Sequence, residues 1–330
     1  MSAPAPHRPL PIKVMNTVGG LAATVGLKPS LTPESIMAAA AKKTGLDDFG
    51  PDTFRPGLDA LCWSLEHEAE LHTLGRIAAR ASLLGRMEAR LQLIDWRKKH
   101  PEVFEEKLEK PIFALGLPRT GTTVLYGLLA ANPALRDPVT WEVNSPVPPP
   151  RPDDAAAGDP RVEVSRKSMA GLRQLAPAVD AIHPMGEMLP QECITLHMPE
   201  FHSYEAVVTF HVPGYFEFLK REGRQQLEQW SWGLDRMMAF RETLPADRVI
   251  DVYFRDTLAD PVGTVHRIHE HFGMEITPQV EQGVQRYLAD NPRDKHGTHT
   301  YSLADFGLTR EQVDSTFAEY KQRFEVPDEN

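Results

Sequence analysis

Two cysteines in 330 residues, Cys62 and Cys193, are too few for a disulfide framework or a thiolate metal cluster and fit a reducing compartment. Basic residues are also short: 36 Lys and Arg face 46 Asp and Glu, for a net charge of −10. That balance excludes general nucleic-acid binding, which needs a basic face. It leaves room for an anionic small ligand, because a few residues set a pocket's local field. No apolar run reaches the roughly 18 residues of a membrane span. The mildly apolar stretch 12–27 is interrupted by Lys13, Asn16 and the Gly19-Gly20 pair. Its basic start is weak and no small-residue cleavage site follows, so a signal peptide fits poorly and the cytoplasm is the expected location. Internal repeats are absent, and the proline-rich run 146–152 is the one biased tract.

What remains is an ordinary globular composition, 41% hydrophobic and 25% charged, with a helical first third. Thr32 with Pro33 predicts an N-cap and first-turn proline for a helix over 36–43. Residues 47–56 read as a turn-rich connector. Residues 58–99 are almost free of breakers, with Leu84, Met87, Leu91 and Ile94 on one face and Gly75 or Gly85 as the dividing point. Helical patterns recur over 162–175 and along Leu227, Trp230, Leu234 and Met237. Asp260-Pro261 and Thr277-Pro278 cap two more helices, the first ended by Gly273. Thr309 with Gln312 forms a capping box for a last helix that buries Val313, Phe317, Tyr320 and Phe324. Strands are expected at 112–115, 139–141 and 248–254, with 206–211 readable as strand or helix.

The chemistry concentrates at Ile112-Phe113-Ala114-Leu115-Gly116-Leu117-Pro118-Arg119-Thr120-Gly121-Thr122-Thr123. A short apolar run passes through a glycine-bounded loop straight into the apolar helix 124–130. Such a junction aims backbone N–H groups and a positive helix end at one point, a site for a phosphate-like anion. A triphosphate-hydrolysing loop carries lysine directly after its second glycine. Here Thr122 stands at that place and the cation, Arg119, lies inside the loop. ATP or GTP hydrolysis is therefore disfavoured, and a less highly charged group fits better.

Gly116 to Thr123 resembles the 5′-phosphosulfate loop of sulfotransferases that use 3′-phosphoadenosine 5′-phosphosulfate (PAPS). Further segments resemble a bacterial branch with a long helical N-terminal region: Asp47-Asp48-Phe49-Gly50, Thr140-Trp141-Glu142, Pro190-Gln191-Glu192-Cys193, Asp251-Val252-Tyr253 before Asp260-Pro261, and Lys295 to Ser302. The resemblance implies that Gly116, Pro118, Arg119, Thr120, Gly121, Thr122 and Thr123 hold the cofactor's 5′ side. Arg119 would stabilise the bridging oxygen as the sulfuryl group leaves, an interaction strongest in the transition state. No metal is implied.

The family's second cofactor motif, an arginine with a serine eight positions later that binds the 3′-phosphate, does not occur in this sequence. Neither does a Lys-Ser-Pro strand or a His-Arg-Asp-Pro run. A central segment holding two core strands is expected to be absent, its junction falling near 220–224. Arg293, Lys295 and Gly297 resemble the family's basic C-terminal loop over this phosphate; a solvated basic turn is the alternative.

Sulfuryl transfer to a hydroxyl needs a base. Glu142, just after an expected strand, is the first choice, and His183 the second; a surface or salt-bridged carboxylate is the alternative for Glu142, a helix-start carboxylate for Glu192. His266, His269 and His271 have no acid or cysteine completing a usual metal site and are expected along a solvated helix. Trp141, Tyr204, Tyr215 and Phe216 are candidates for an acceptor pocket or for the core.

The fold expected is α/β, a P-loop-like parallel sheet with flanking helices, the sheet left incomplete by the absent segment. A helical region spans 1–108 and a sulfotransferase-like domain 109–330. The expected function is sulfuryl transfer from PAPS to a hydroxyl on a phenol, sterol, carbohydrate or lipid headgroup. The alternative is a catalytically impaired relative that serves as a nucleotide-binding or interaction module.

Overall fold

The computed structural model describes residues 10–117, 120–151, 153–175, 186–201, 219–292 and 302–326. Within these the chain is helical, and it divides into two compact units. One comprises Met1–Lys110 with Pro138–Glu217, the other Pro111–Asp137 with Phe218–Asn330.

The first unit is built on α1 (Leu10–Thr24), α2 (Pro33–Thr44), α3 (Arg55–His67) and α4 (Thr73–Lys99), followed by α6 (Thr140–Asn144) and α7 (Pro160–Leu175). Thr32 caps α2 as expected, its hydroxyl accepting from the Ser35 N–H, and Gly45 ends it at φ 73°. The long helical stretch divides at residues 68–72, ahead of Gly75, while Gly85 runs inside α4. The reason is His72, whose ring nitrogen accepts from the Gly75 N–H and starts a new helix. Leu31, Ile36, Phe54, Leu58, Leu83, Met87 and Leu91 form the core, joined by Phe201.

Arg90 of α4 crosses this core at 2% exposure. It donates to the Phe49 and Pro51 carbonyls, each at 2.7 Å, and to Glu200 Oε1 at 2.6 Å. Its guanidinium also lies 4.3 Å from the Phe54 ring centroid. A buried charge is tolerated here because its donors are paired. Burial pushes the nearby Cys62 thiol up to about 12, leaving it a thiol at neutral pH.

The second unit contains α5 (Thr122–Ala130), α8 (Leu219–Arg241), α9 (Phe254–Ala259), α10 (Pro261–His271), α11 (Pro278–Asp290), α12 (Arg310–Thr316) and α13 (Ala318–Arg323). The caps at Asp260, Thr277 and Thr309 form as the sequence predicts. Leu128 of α5 packs with Val265, Val280 and Val284 from α10 and α11.

Several expectations are corrected. Among the described residues no strand forms. The run 112–115 has no ladder partner there, and its Phe113 and Leu115 side chains are exposed. Val139 makes one antiparallel bridge, to Pro190, and the chain then turns helical at Thr140. Glu142 Oε2 accepts the Val139 N–H at 3.3 Å, so a helix start replaces strand pairing. The alternation over 248–254 leads into α9, because the Tyr253 carbonyl accepts from the Asp256 and Thr257 N–H groups. The last helix is two, α12 and α13, divided at Phe317, and Val313, Phe317, Tyr320 and Phe324 are half-buried.

One of the three histidines is the clearest reversal, while His266 and His271 are partly exposed. His269 is fully buried. Its Nδ1–H donates to the Val265 carbonyl at 2.8 Å, which leaves Nε2 to accept from Asn132 Nδ2 at 3.0 Å. A neutral ring in one tautomer thus ties the turn after α5 to α10. Replacing Asn132 with alanine strands that buried acceptor and is expected to destabilise the unit by about 1–3 kcal/mol, read as a lower thermal midpoint.

Candidate functional site

The anion loop is shaped by what cannot be added to its glycines. A Cβ on Gly116 would lie 2.8 Å from both Thr120 Oγ1 and Thr122 Cγ2, so the loop closes tightly on itself. Thr120 reinforces the closure, its hydroxyl donating to the Leu117 carbonyl at 2.6 Å and its N–H to the same oxygen at 3.3 Å. Gly121 then turns at φ 83°, in the left-handed region that a side chain makes costly. It is the N-cap of α5 and makes no side-chain capping bond. The first-turn N–H groups of α5 therefore point out of the helix beside exposed Thr120 and Thr123, with the positive end of the helix behind them.

The loop is held from behind by two close approaches. A Cβ on Gly127 would lie 2.4 Å from the Tyr287 ring, and one on Gly283 2.4 Å from the Ala131 carbonyl. These fix α5 against α11 at both its middle and its end. Burial raises the Tyr287 hydroxyl above the usual tyrosine range, which suits a packing role. Phe254 was not identified from sequence; its ring occupies the space where a Gly121 side chain would go, 2.2 Å from the ideal Cβ. The only sequence signal was its place directly after Asp251-Val252-Tyr253. Gly121→Ala is therefore expected to displace either the loop or Phe254, read as a lower thermal midpoint.

Glu142 lies in the first unit, at the third position of α6, and is half-buried. The segment that carries it is tied to another segment of the resemblance. The Thr140 N–H donates to the Leu189 carbonyl at 3.0 Å, Trp141 N–H to Glu187 at 3.0 Å, and Gln191 N–H to Pro138 at 2.8 Å. Thr140-Trp141-Glu142 and Pro190-Gln191-Glu192, far apart in sequence, are thus brought together. Trp141 is buried, so it serves the core, with the Arg161 guanidinium 4.9 Å from its ring centroid. Glu192 precedes the 3₁₀ segment Cys193–Glu200 as its N-cap residue.

Pro118, Arg119, His183, Arg293, Lys295, Gly297, Tyr204, Tyr215, Phe216 and the run 206–211 lie outside the described residues. Among the described residues no three His, Cys, Asp or Glu gather as metal ligands, and no helix is long and apolar enough to cross a membrane.

The model of the sulfotransferase family matches residues 111–221 and 210–278, two pieces that overlap over 210–221. Two solved structures are similar over nearly the whole chain. A sulfotransferase from Mycobacterium tuberculosis is 25% identical, covering 88% of this chain and 100% of its own, with a TM-score of 0.72. One from Mycobacterium avium is 21% identical, covering 90% and 97%, with a TM-score of 0.78, and supports the fold alone. No curated protein sequence matches.

Proposed function

We propose that this chain, which belongs to the sulfotransferase family, transfers a sulfuryl group from PAPS to a hydroxyl acceptor. The observation that carries the reading is the loop itself: a tight Gly116–Gly121 turn opening into α5 without a side-chain cap, with arginine inside the loop and no lysine after the second glycine. The α5 N–H groups with Thr120, Thr122 and Thr123 would hold the 5′-phosphate. Arg119 would stabilise the charge that builds on the bridging oxygen as the sulfur–oxygen bond to the phosphate breaks. The acceptor oxygen attacks sulfur in line, its proton passes to Glu142 or His183, and 3′,5′-ADP leaves. Arg293, Lys295 and the Gly297 turn would cover the 3′-phosphate.

The expected P-loop-like sheet belongs to the same proposal, supported by the likeness to the two mycobacterial structures. So does the division into a helical region over 1–108 and a sulfotransferase-like domain over 109–330. The acceptor is a small molecule, carbohydrate or lipid headgroup bearing a hydroxyl.

Calorimetry with 3′,5′-ADP tests the nucleotide specificity. Micromolar-range binding, much weaker for ADP, is expected. No detectable heat with 3′,5′-ADP contradicts the proposal, as does magnesium-dependent turnover of ATP.

A further inference from the structure

The first helix leaves an apolar face uncovered. Its inward side carries Ile12 and Met15 beside polar and small residues: Asn16 Oδ1 accepts the Leu74 N–H at 3.0 Å, and Gly19 lies so close to Thr73 that a Cβ there would meet its hydroxyl at 2.2 Å. Four large aliphatics point the other way. Leu10, Val14, Val18 and Leu21 recur at spacings of four, four and three, which puts them in one arc of the helix. All are between 53% and 74% exposed, and Val25 and Leu27 just beyond the helix extend the exposed stripe. No residue of α1 is buried at all. This apolar face is on the order of 600 Å², the upper end of the largest patch an ordinary monomer shows.

We propose that the face of α1 pairs with the same face of a second copy of this chain. Three observations favour that occupant. The face carries no charge of either sign, and Lys13, the one charged residue of α1, lies beside the arc. Identical faces therefore meet across a two-fold axis without like-charge repulsion. Two such faces bury on the order of 1,200 Å² in total, the lower bound of a specific stable interface. The stripe is valine and leucine without tryptophan or phenylalanine, and the helix has a single basic residue in a chain of net charge −10. A membrane-surface helix needs aromatic anchors and a basic polar face instead.

Sedimentation velocity on the full chain tests the pairing. The native chain is expected at twice the monomer mass at tens of micromolar, and the double variant V18E/L21E at the monomer mass with an unchanged thermal midpoint. A monomeric native chain overturns the proposal, as does a variant that still dimerises. So does a native chain that is monomeric in solution but floats with lipid vesicles. Should V18E/L21E fail to fold, Val18→Cys in a Cys193→Ser background decides. Cys62 is buried and stays out of the reaction, so mild oxidation is expected to give a covalent dimer, and its absence overturns the pairing.

Discussion

Replacing Arg119 with alanine is expected to lower kcat by about 10²–10³-fold while leaving the thermal midpoint unchanged. The size follows from the role. A guanidinium fixed on the oxygen where charge develops acts mainly in the transition state, and removing one such donor costs about 3–4 kcal/mol of activation free energy. Lysine restores the charge but loses the planar fork, so Arg119→Lys should recover only part of the rate. The split between constants discriminates further. Loss confined to KM would make Arg119 a ground-state phosphate ligand, whereas loss in kcat and kcat/KM together fits the leaving-group role. Unchanged turnover removes Arg119 from the mechanism.

Replacing Arg90 with alanine is expected to produce the largest loss of stability. Its side chain donates to the carbonyls of Phe49, Pro51 and Pro199 and to the Glu200 carboxylate, joining segments that are more than a hundred residues apart. Removing Arg90 leaves several carbonyls and the partly exposed Glu200 carboxylate without their donor and opens a gap over the Phe54 ring, together on the order of 3–5 kcal/mol. At this chain length, with about 0.7 kcal/mol of unfolding entropy per degree, that lowers the thermal midpoint by about 4–7 °C. Arg90→Lys should rescue little, since a single ammonium cannot reach carbonyls on several sides. A midpoint within 1 °C of the native one, about 0.7 kcal/mol, would show that the clasp contributes little.

What the sequence revealed tracks how local each feature is. Thr32, Asp260, Thr277 and Thr309 each cap through an N–H three residues on, so a short window contains the whole interaction. The loop was legible for the same reason, its glycines and threonines meeting within eight residues. Strand expectations at 139–141 and 248–254 rested on short local patterns, which say nothing of whether a partner lies alongside; Glu142 and Tyr253 turned both segments into helix starts. His269 and Arg90 were unreadable because their partners, Asn132 and Glu200, lie more than a hundred residues away. Phe254 against Gly121 is a contact of the same kind, visible only when the chain is folded.

The central claim is sulfuryl transfer, and the direct measurement is formation of 3′,5′-ADP from PAPS in the presence of a panel of phenol, sterol, carbohydrate and lipid-headgroup hydroxyls. The native chain should form 3′,5′-ADP and an equal amount of sulfated acceptor with at least one class, and Arg119→Ala should form little of either. A native chain that binds 3′,5′-ADP yet yields neither product with any acceptor would contradict the account.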